Sequence, residues 1–513
     1  MANTKRMALN ITAQIISFLS SVIISFFLTS FIVEKIGTEV YGFVGLSNNM
    51  ISYVTVFTVA INSLANRYIT ISYVKNDIEE ANKYFASVTA ANILVTLVAA
   101  IPGIWLILNL ENVFNIPIGY ESDIKGLWTF VFMMFAVQLV SGRMEVGAFA
   151  KNRLDLSGFC NMASNILKLV LLLLMYALLP PKITYVGISA FVCALFVAAM
   201  NFYYMKILTP ELKFLKNKIK FSPIKEIIGN GIWNSADQVS QMLFNGLDLL
   251  LANLFISASG MGLLSIAKTI PIQILVFICI VSGVFHPNMT ISYAKEQKDE
   301  FIRETDFAMR LNGLICSVPI VGLMVFGKDF FALWLPTLTE QELNMVQILS
   351  VLTILPQFFS IYIFPLYQVN TLTCKLKIPS ILSVILGAVN IVTVFLLLKF
   401  TDLGLYAIAG VSSLLQILRI VFFVPPYAAA AIKSGLKTFY PPLVKGIILN
   451  IILIVLFGMI QKLLPLGNIF AFFITVGISA AIGYITGIFI LFKKSDIHKI
   501  LDMIKRRKRT EKR

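Results

Sequence analysis

Fourteen runs of about twenty predominantly apolar residues follow one another through this chain, separated by short polar stretches. A helix of that length crosses the hydrocarbon core of a bilayer. The pattern therefore predicts an all-α polytopic membrane protein, with helices near 8–33, 41–74, 84–108, 124–149, 156–179, 184–207, 224–256, 260–293, 304–326, 342–369, 378–400, 403–424, 439–464 and 468–492. A soluble globule is excluded, because 58% of the 513 residues are hydrophobic where roughly 45–50% is usual. Prolines 102, 271, 319, 356 and 365 fall inside these runs, where neighbouring helices can satisfy the carbonyls they free.

Charge orients the spans. With the N-terminus inside, about 29 Lys and Arg fall on the cytoplasmic side. Outside are Lys35, Lys125, Lys182, Lys328, Lys399 and Lys462. Positive residues accumulate inside, so both termini are expected in the cytoplasm of a multi-pass inner-membrane protein. The net charge of +16 lies in clusters between apolar runs, which points to anionic membrane lipids as partners and not to nucleic acid. The last residues, 493–513, set Ile497, Ile500, Leu501 and Ile504 at helical spacing among basic residues. They read either as a helix lying on the inner leaflet or as a disordered basic stop. Cys160, Cys193, Cys279, Cys316 and Cys374 lie in or at the ends of apolar runs without metal spacing, and are read as small core residues. His286 and His498 make no metal spacing either. No outside loop is long enough for a catalytic domain, and no nucleotide-binding, hydrolase or metal motif is present, so the chain reads as no enzyme.

The chain also repeats. Thr70-Ile71-Ser72-Tyr73 followed by Lys75 returns 220 residues later as Thr290-Ile291-Ser292-Tyr293 followed by Lys295. At the same offset Asn10 meets Asn230 and Gly42 meets Gly262. Six helices per repeat leave both halves in one orientation, so the pseudo-two-fold relating them runs along the membrane normal. The expected organisation is a six-helix lobe over 1–207, a basic cytoplasmic linker over 208–223, a second six-helix lobe over 224–432, two further spans over 433–492, and the basic tail over 493–513.

One span is unlike the others. Between Asn230 and Ile256, the polar groups Asn230, Asn234, Asp237, Gln241 and Asp248 recur at steps of three, four or seven, which gathers them on one helical face. Carboxylates inside a bilayer cost about 2.5–3.5 kcal/mol on insertion scales, so such a stripe faces protein or water. Lys168 and Lys268 also fall well inside spans, while Arg67, Arg143, Arg310 and Arg419 sit one to two turns from cytoplasmic ends, where snorkelling is the alternative. Set against Asp237, Asp248 and Glu145, these six cations leave an excess of positive charge, which favours an anionic ligand. Asp237 and Asp248, about 16 Å apart along a helix, are candidate ion-coupling or gating groups with Asn234 and Gln241. Pairing with Lys168 or Lys268 is the structural alternative.

The turn Ile36-Gly-Thr-Glu-Val-Tyr-Gly-Phe43 and its counterpart Gly262 to Pro271 resemble bacterial polysaccharide exporters of the multidrug, oligosaccharidyl-lipid and polysaccharide exporter superfamily. The branch they are most similar to is the O-antigen or capsule repeat-unit flippases (Wzx-like), and the likeness in helix count and loop lengths covers the whole chain. It implies two six-helix lobes forming a V around a central cavity, plus two C-terminal helices. It implies as cargo an undecaprenyl-diphosphate-linked oligosaccharide, flipped to the outer leaflet by alternating access for lipopolysaccharide or capsule synthesis, beside a polysaccharide polymerase and assembly proteins. Arg67, Lys168, Lys268 and Arg310 are the candidate substrate-binding cations. No cofactor is expected, and H+ or Na+ coupling stays open. A multidrug or cation antiporter and a peptidoglycan-precursor flippase share the architecture and remain alternatives.

Overall fold

The computed structural model describes residues 2–464 and 468–492. The tail 493–513, with His498, and the side chains of Asn10 and Asn230 lie outside what is described. Among the described residues the chain is helical throughout, without strands, and thirteen helices are long and apolar enough to cross a membrane. The expected fourteenth, 224–256, is helical too, but its polar stripe lowers its hydropathy and its backbone is interrupted.

Two compact units are present: Met1–Ser265 with Ser383–Val392, and Ile266–Leu382 with Thr393–Arg513. The first unit begins with α1 (Ala2–Ile36), α2 (Thr38–Val74), α3 (Ile78–Leu108), the single turn α4 (Leu110–Val113) and α5 (Glu121–Ser141). After a 3-10 turn at Gly142–Glu145 come α6 (Val146–Ala150), α7 (Leu154–Leu178), α8 (Thr184–Leu208) and α9 (Phe221–Gln241). A π turn at Met242–Gly246 leads into α10 (Asp248–Phe255), and α11 (Ala258–Gly283) starts in this unit. Helix α1 packs on α7, α5 on α8, and α2 on both α3 and α9. Near the basic end of these helices the core is Ile61, Ala65 and Ile69 of α2, with Tyr84, Phe85 and Val88 of α3 and Met205 of α8. Leu212 and Ile227 complete it from the stretch that follows α8 and from α9.

Helix α3 starts at Ile78, six residues before the apolar run, because the Asp77 side chain accepts the Glu80 amide and caps a polar first turn. Where α2 meets α11, a Cβ added to Gly42 would lie 3.0 Å from the Gly262 Cα, and one added to Gly262 would lie 2.2 Å from the Thr38 carbonyl oxygen. Gly45 stands the same way against Ser265, whose Oγ would be 2.7 Å from an added Cβ.

The second unit holds the rest of α11, then α12 (His286–Ala294), α13 (Lys298–Trp334), α14 (Glu340–Leu372), most of α15 (Lys377–Phe400) and α16 (Leu405–Leu418). A second π turn at Arg419–Phe423 precedes α17 (Val424–Ala431), α18 (Tyr440–Leu463) and α19 (Ile469–Leu491). Helix α13 packs on α14, α18 and α19. Tyr362, fully buried, joins three of these helices. Its hydroxyl lies 2.8 Å from the Ser317 Oγ, 2.9 Å from the Gly446 carbonyl and 3.0 Å from the Asn450 Oδ1. Its ring fills the space that Gly313 and Gly446 leave open. The Asn450 amide donates onward to the Phe358 carbonyl. Helix α18 is thus built into the polar core of this unit, and α19 packs on α13 and α18.

Both copies of Thr-Ile-Ser-Tyr end in the same backbone turn. After Tyr73 the chain turns through a left-handed Asn76 (φ 61°), with Lys75, Asn76 and Asp77 amides bonded to the Ile71, Tyr73 and Ser72 carbonyls. After Tyr293 it turns through a left-handed Glu296 (φ 57°), with Lys295, Glu296 and Gln297 bonded to Ile291, Tyr293 and Ser292. The same left-handed turn closes helices at Asn152, Cys374 and Lys433, so it is a general form of helix ending in this chain, and what singles out these two is the Thr-Ile-Ser-Tyr sequence before them.

Candidate functional site: a polar arc on α2

Helix α2 carries a run of polar residues, and α9 supplies partners to it from one side. A Cβ on Gly231 would stand 2.1 Å from the Ala60 carbonyl oxygen, so the two backbones touch. The Asn234 amide donates to the Ser63 Oγ at 3.0 Å, and the Ser235 hydroxyl to the Val56 carbonyl at 3.0 Å. Further along, the π turn frees carbonyls that side chains then satisfy. The Gly246 oxygen accepts from the Asn49 amide at 3.0 Å and from the Tyr53 hydroxyl at 2.7 Å. The Leu243 oxygen accepts from Asn390 of α15 at 3.1 Å.

The stripe of the seventh span is therefore divided among different tasks. Asn234 is spent on α2. Asp237 and Gln241 are exposed, and Gln241 accepts a long bond from Asn245 at 3.4 Å. Asp248 is buried at the first position of α10, where a negative charge suits the N-terminal amides.

The predicted cations are placed unequally. Arg67 is exposed on α2, one turn beyond Ser63. Lys168 is half-buried on α7, which packs against α1 and α8 and so belongs to another flank of the first unit. In the second unit Lys268 is buried on α11. Arg310 is compensated: it pairs with Asp306 at 2.7 Å, donates to the Leu491 carbonyl at 3.2 Å, and stands over the Phe492 ring at 5.3 Å. Those contacts tie α13 to the end of α19.

Sequence reading places Arg143 among interfacial arginines, and its surroundings show more. Its guanidinium donates to the Asn66 Oδ1 at 3.0 Å and to the Asn62 carbonyl at 3.4 Å. Asn62 and Asn92 exchange amide bonds at 3.2 and 3.1 Å, and fully buried Asn92 also donates to the Leu139 carbonyl at 3.0 Å. Leu139 lies one turn before the break at Gly142–Glu145, so Asn92 supplies a donor where the α5 ladder is interrupted. The Arg143 Nε is buried and finds no partner.

Asn62, Ser63, Asn66 and Arg67 thus form a polar arc on α2, with Arg143 on one side and Asn234 on the other. Arg67 and Arg143 form no ion pair among the described residues. Neutral amides aim the Arg143 guanidinium, and the charge of Glu145, two residues on, acts on it without forming an ion pair among the described residues. A partly desolvated cation of this kind lowers its energy by meeting an anion. No cluster of three His, Cys, Asp or Glu capable of holding a metal occurs among the described residues. The arginine signal lay in the sequence, but its amide partners stand about eighty residues away on another helix.

No protein-family model matches the chain. It is 29% identical over 432 residues to the uncharacterized membrane protein EpsK of Bacillus subtilis (strain 168), a match covering 83% of each chain. The lipid II flippase MurJ in an inward closed conformation superposes with a TM-score of 0.63 at 14% identity, covering 94% of this chain and 98% of that one. An inward-facing multidrug resistance MATE transporter of the MOP superfamily superposes with a TM-score of 0.59 at 12% identity, over 84% of this chain and 99% of that one. The chain therefore has the fold of the MOP-superfamily transporters.

Proposed function

We propose that the protein is a flippase that moves a lipid-linked oligosaccharide, joined to its polyprenyl carrier by a diphosphate, from the inner to the outer leaflet of a bacterial inner membrane. The observation that carries this reading is the pair Arg67 and Arg143, two cations of the first unit that form no ion pair among the described residues, with amides to orient Arg143 and Glu145 as the one acid whose charge is seen to act on it. Arginine suits a diphosphate because its planar fork meets two phosphate oxygens at once. An antiporter of cationic drugs needs the opposite balance. Lys168 and Lys268 add positive charge elsewhere in their own units, and an anionic head moving outward from a negative interior gains about 2.3 kcal/mol per charge per 100 mV. The membrane potential would then drive turnover. A polymerase and assembly proteins would take up the delivered units.

Exposed Asp237, with Gln241 beside it, supports coupling to H+ or Na+ as an added element. Replacing Asp237 by Asn would abolish the ion dependence of transport while leaving cargo binding intact; transport with unchanged ion dependence would remove Asp237 from that role.

Binding by the purified protein tests the cargo class. A lipid-linked diphosphate oligosaccharide should compete with inorganic pyrophosphate and be weakened at least tenfold by Arg143→Gln, while a lipophilic cation such as ethidium should not compete. Saturable ethidium binding that ignores both arginines would favour the antiporter.

A further inference from the structure

The stretch between α8 and α9 is not a slack connection. It is strapped along the first turns of α3. The Asn82 amide donates to the Glu211 carbonyl at 3.1 Å, and the Asn82 Oδ1 accepts the Lys213 amide at 2.7 Å. The Lys220 amide donates to the Ser87 Oγ at 3.0 Å, and Lys218 pairs with Glu79. Leu212 is sunk into the core beside these contacts. Five residues of helix separate Asn82 from Ser87, so the strap climbs about 7 Å along α3.

The strap presents a defined outer surface. Lys213, Phe214, Lys216, Ile219, Lys220 and Phe221 are all exposed, Phe221 by 72%. Lys206, at the end of α8, stands over Phe202 and adds another exposed cation beside exposed Tyr203. The carboxylates nearby are already engaged: Glu79 by Lys218, Glu80 by Lys83, Glu211 by Tyr73 and Glu226 by Tyr84. Lys213, Lys216 and Lys220 form no ion pair among the described residues.

The height of the strap identifies what covers it. At about 100° per residue, Glu79, Asn82 and Ser87 occupy the same side of α3 as Leu94, Leu97, Val98 and Ile101, which are each at least 60% exposed. That apolar strip is where a spanning helix meets acyl chains, and it opens about 10 Å beyond Ser87. The strap therefore lies directly below the hydrocarbon, at the level of headgroups. Lysines interleaved with exposed aromatic and aliphatic side chains suit that layer, since the rings enter the acyl boundary while the ammonium groups meet phosphate.

We propose that the strap Lys213–Phe221 is a docking site for the headgroups of anionic phospholipids of the surrounding bilayer, built by its pinning to α3. The site is independent of the transported cargo. Because the backbone is already fixed by Asn82 and Ser87, binding spends little ordering entropy.

Native mass spectrometry of the full chain, released from nanodiscs of equal phosphatidylglycerol and phosphatidylcholine, tests it. The expected result is preferential retention of phosphatidylglycerol, reduced at least fivefold in a Lys213→Gln, Lys216→Gln, Lys220→Gln variant with phosphatidylcholine retention unchanged. Should the triple variant fail to fold, Lys216→Glu alone should lower phosphatidylglycerol retention at least twofold, and Phe214→Ser should lower retention of both lipids. Equal retention of phosphatidylglycerol by the wild type and either lysine variant would overturn the proposal. So would displacement of the retained lipid by inorganic pyrophosphate, which would assign the lysines to the cargo.

Discussion

Gly42 of α2 and Gly262 of α11 lie face to face, and each is the other's counterpart in the internal repeat, 220 residues apart. Gly45 and Ser265 repeat the relationship one turn on. Both pairs lie within the first unit, where the glycines let the α2 and α11 backbones come into direct contact.

The crossing predicts graded sensitivity to a single methyl group. Gly262→Ala places a Cβ against backbone, which cannot give way, and should destabilise by about 1–3 kcal/mol or more. Gly45→Ala meets only the side chains of Ser265 and Leu249 and should cost less, with Ser265→Ala relieving part of it. Thermal unfolding in detergent measures both, and equal losses at the two glycines would contradict the packing described.

Tyr362 offers a test of how the last helix pair is held. Tyr362→Phe removes a hydroxyl shared by Ser317, Gly446 and Asn450 and should cost about 1–2 kcal/mol, within the range of interhelical bonds in bilayers. Gly446→Ala should cost more, because its Cβ would fall 2.2 Å from the tyrosine ring. Limited proteolysis should then release α18 and α19 sooner than in the parent.

Asn92 is predicted to hold the break that presents Arg143. In Asn92→Leu the Leu139 carbonyl and the Asn62 amide both lose a partner, at about 1–3 kcal/mol. Amide exchange over Gly142–Glu145 should quicken roughly tenfold for each 1.4 kcal/mol lost, while exchange in α13 stays unchanged. Faster exchange in both would assign Asn92 a general role in stability.

Glu211 gives a pH signature for the strap. Its own backbone amide, and next the Tyr73 hydroxyl, hold its carboxyl below the usual range. A lowered folded value means that the Tyr73 contact stabilises above the unfolded value of about 4.3 and is lost as pH falls through the lower folded one. The melting difference between the parent and Tyr73→Phe should therefore be constant from pH 8 to pH 6 and close only in stronger acid.

Run length and polarity were enough to read most spans, because a bilayer demands a continuous apolar helix whatever its neighbours are. They failed where polar turns extend a helix. Capped by Asp77, α3 begins at Ile78 and not near 84, and α13 begins at Lys298 and not near 304. Thr-Ile-Ser-Tyr at an offset of 220 was visible in the sequence, and both copies end in a left-handed turn that also closes helices at Asn152, Cys374 and Lys433. The polar stripe was visible, but its division between Asn234, Asp237 and Asp248 depends on α2 and on the π turn. Arg143 showed as a charge, whereas Asn62, Asn66 and Asn92, which make it a site, are contributed from distant sequence.

The most direct measurement is flipping of a lipid-linked diphosphate oligosaccharide in proteoliposomes, read by accessibility of the sugar to an external lectin, with an inside-negative potential imposed. Arg67→Gln with Arg143→Gln should lower the initial rate at least tenfold with unchanged thermal unfolding, and Lys at both positions should restore part of it. Flipping at the parental rate in a folded double variant would contradict the assignment of the α2 arc as the site that meets the diphosphate.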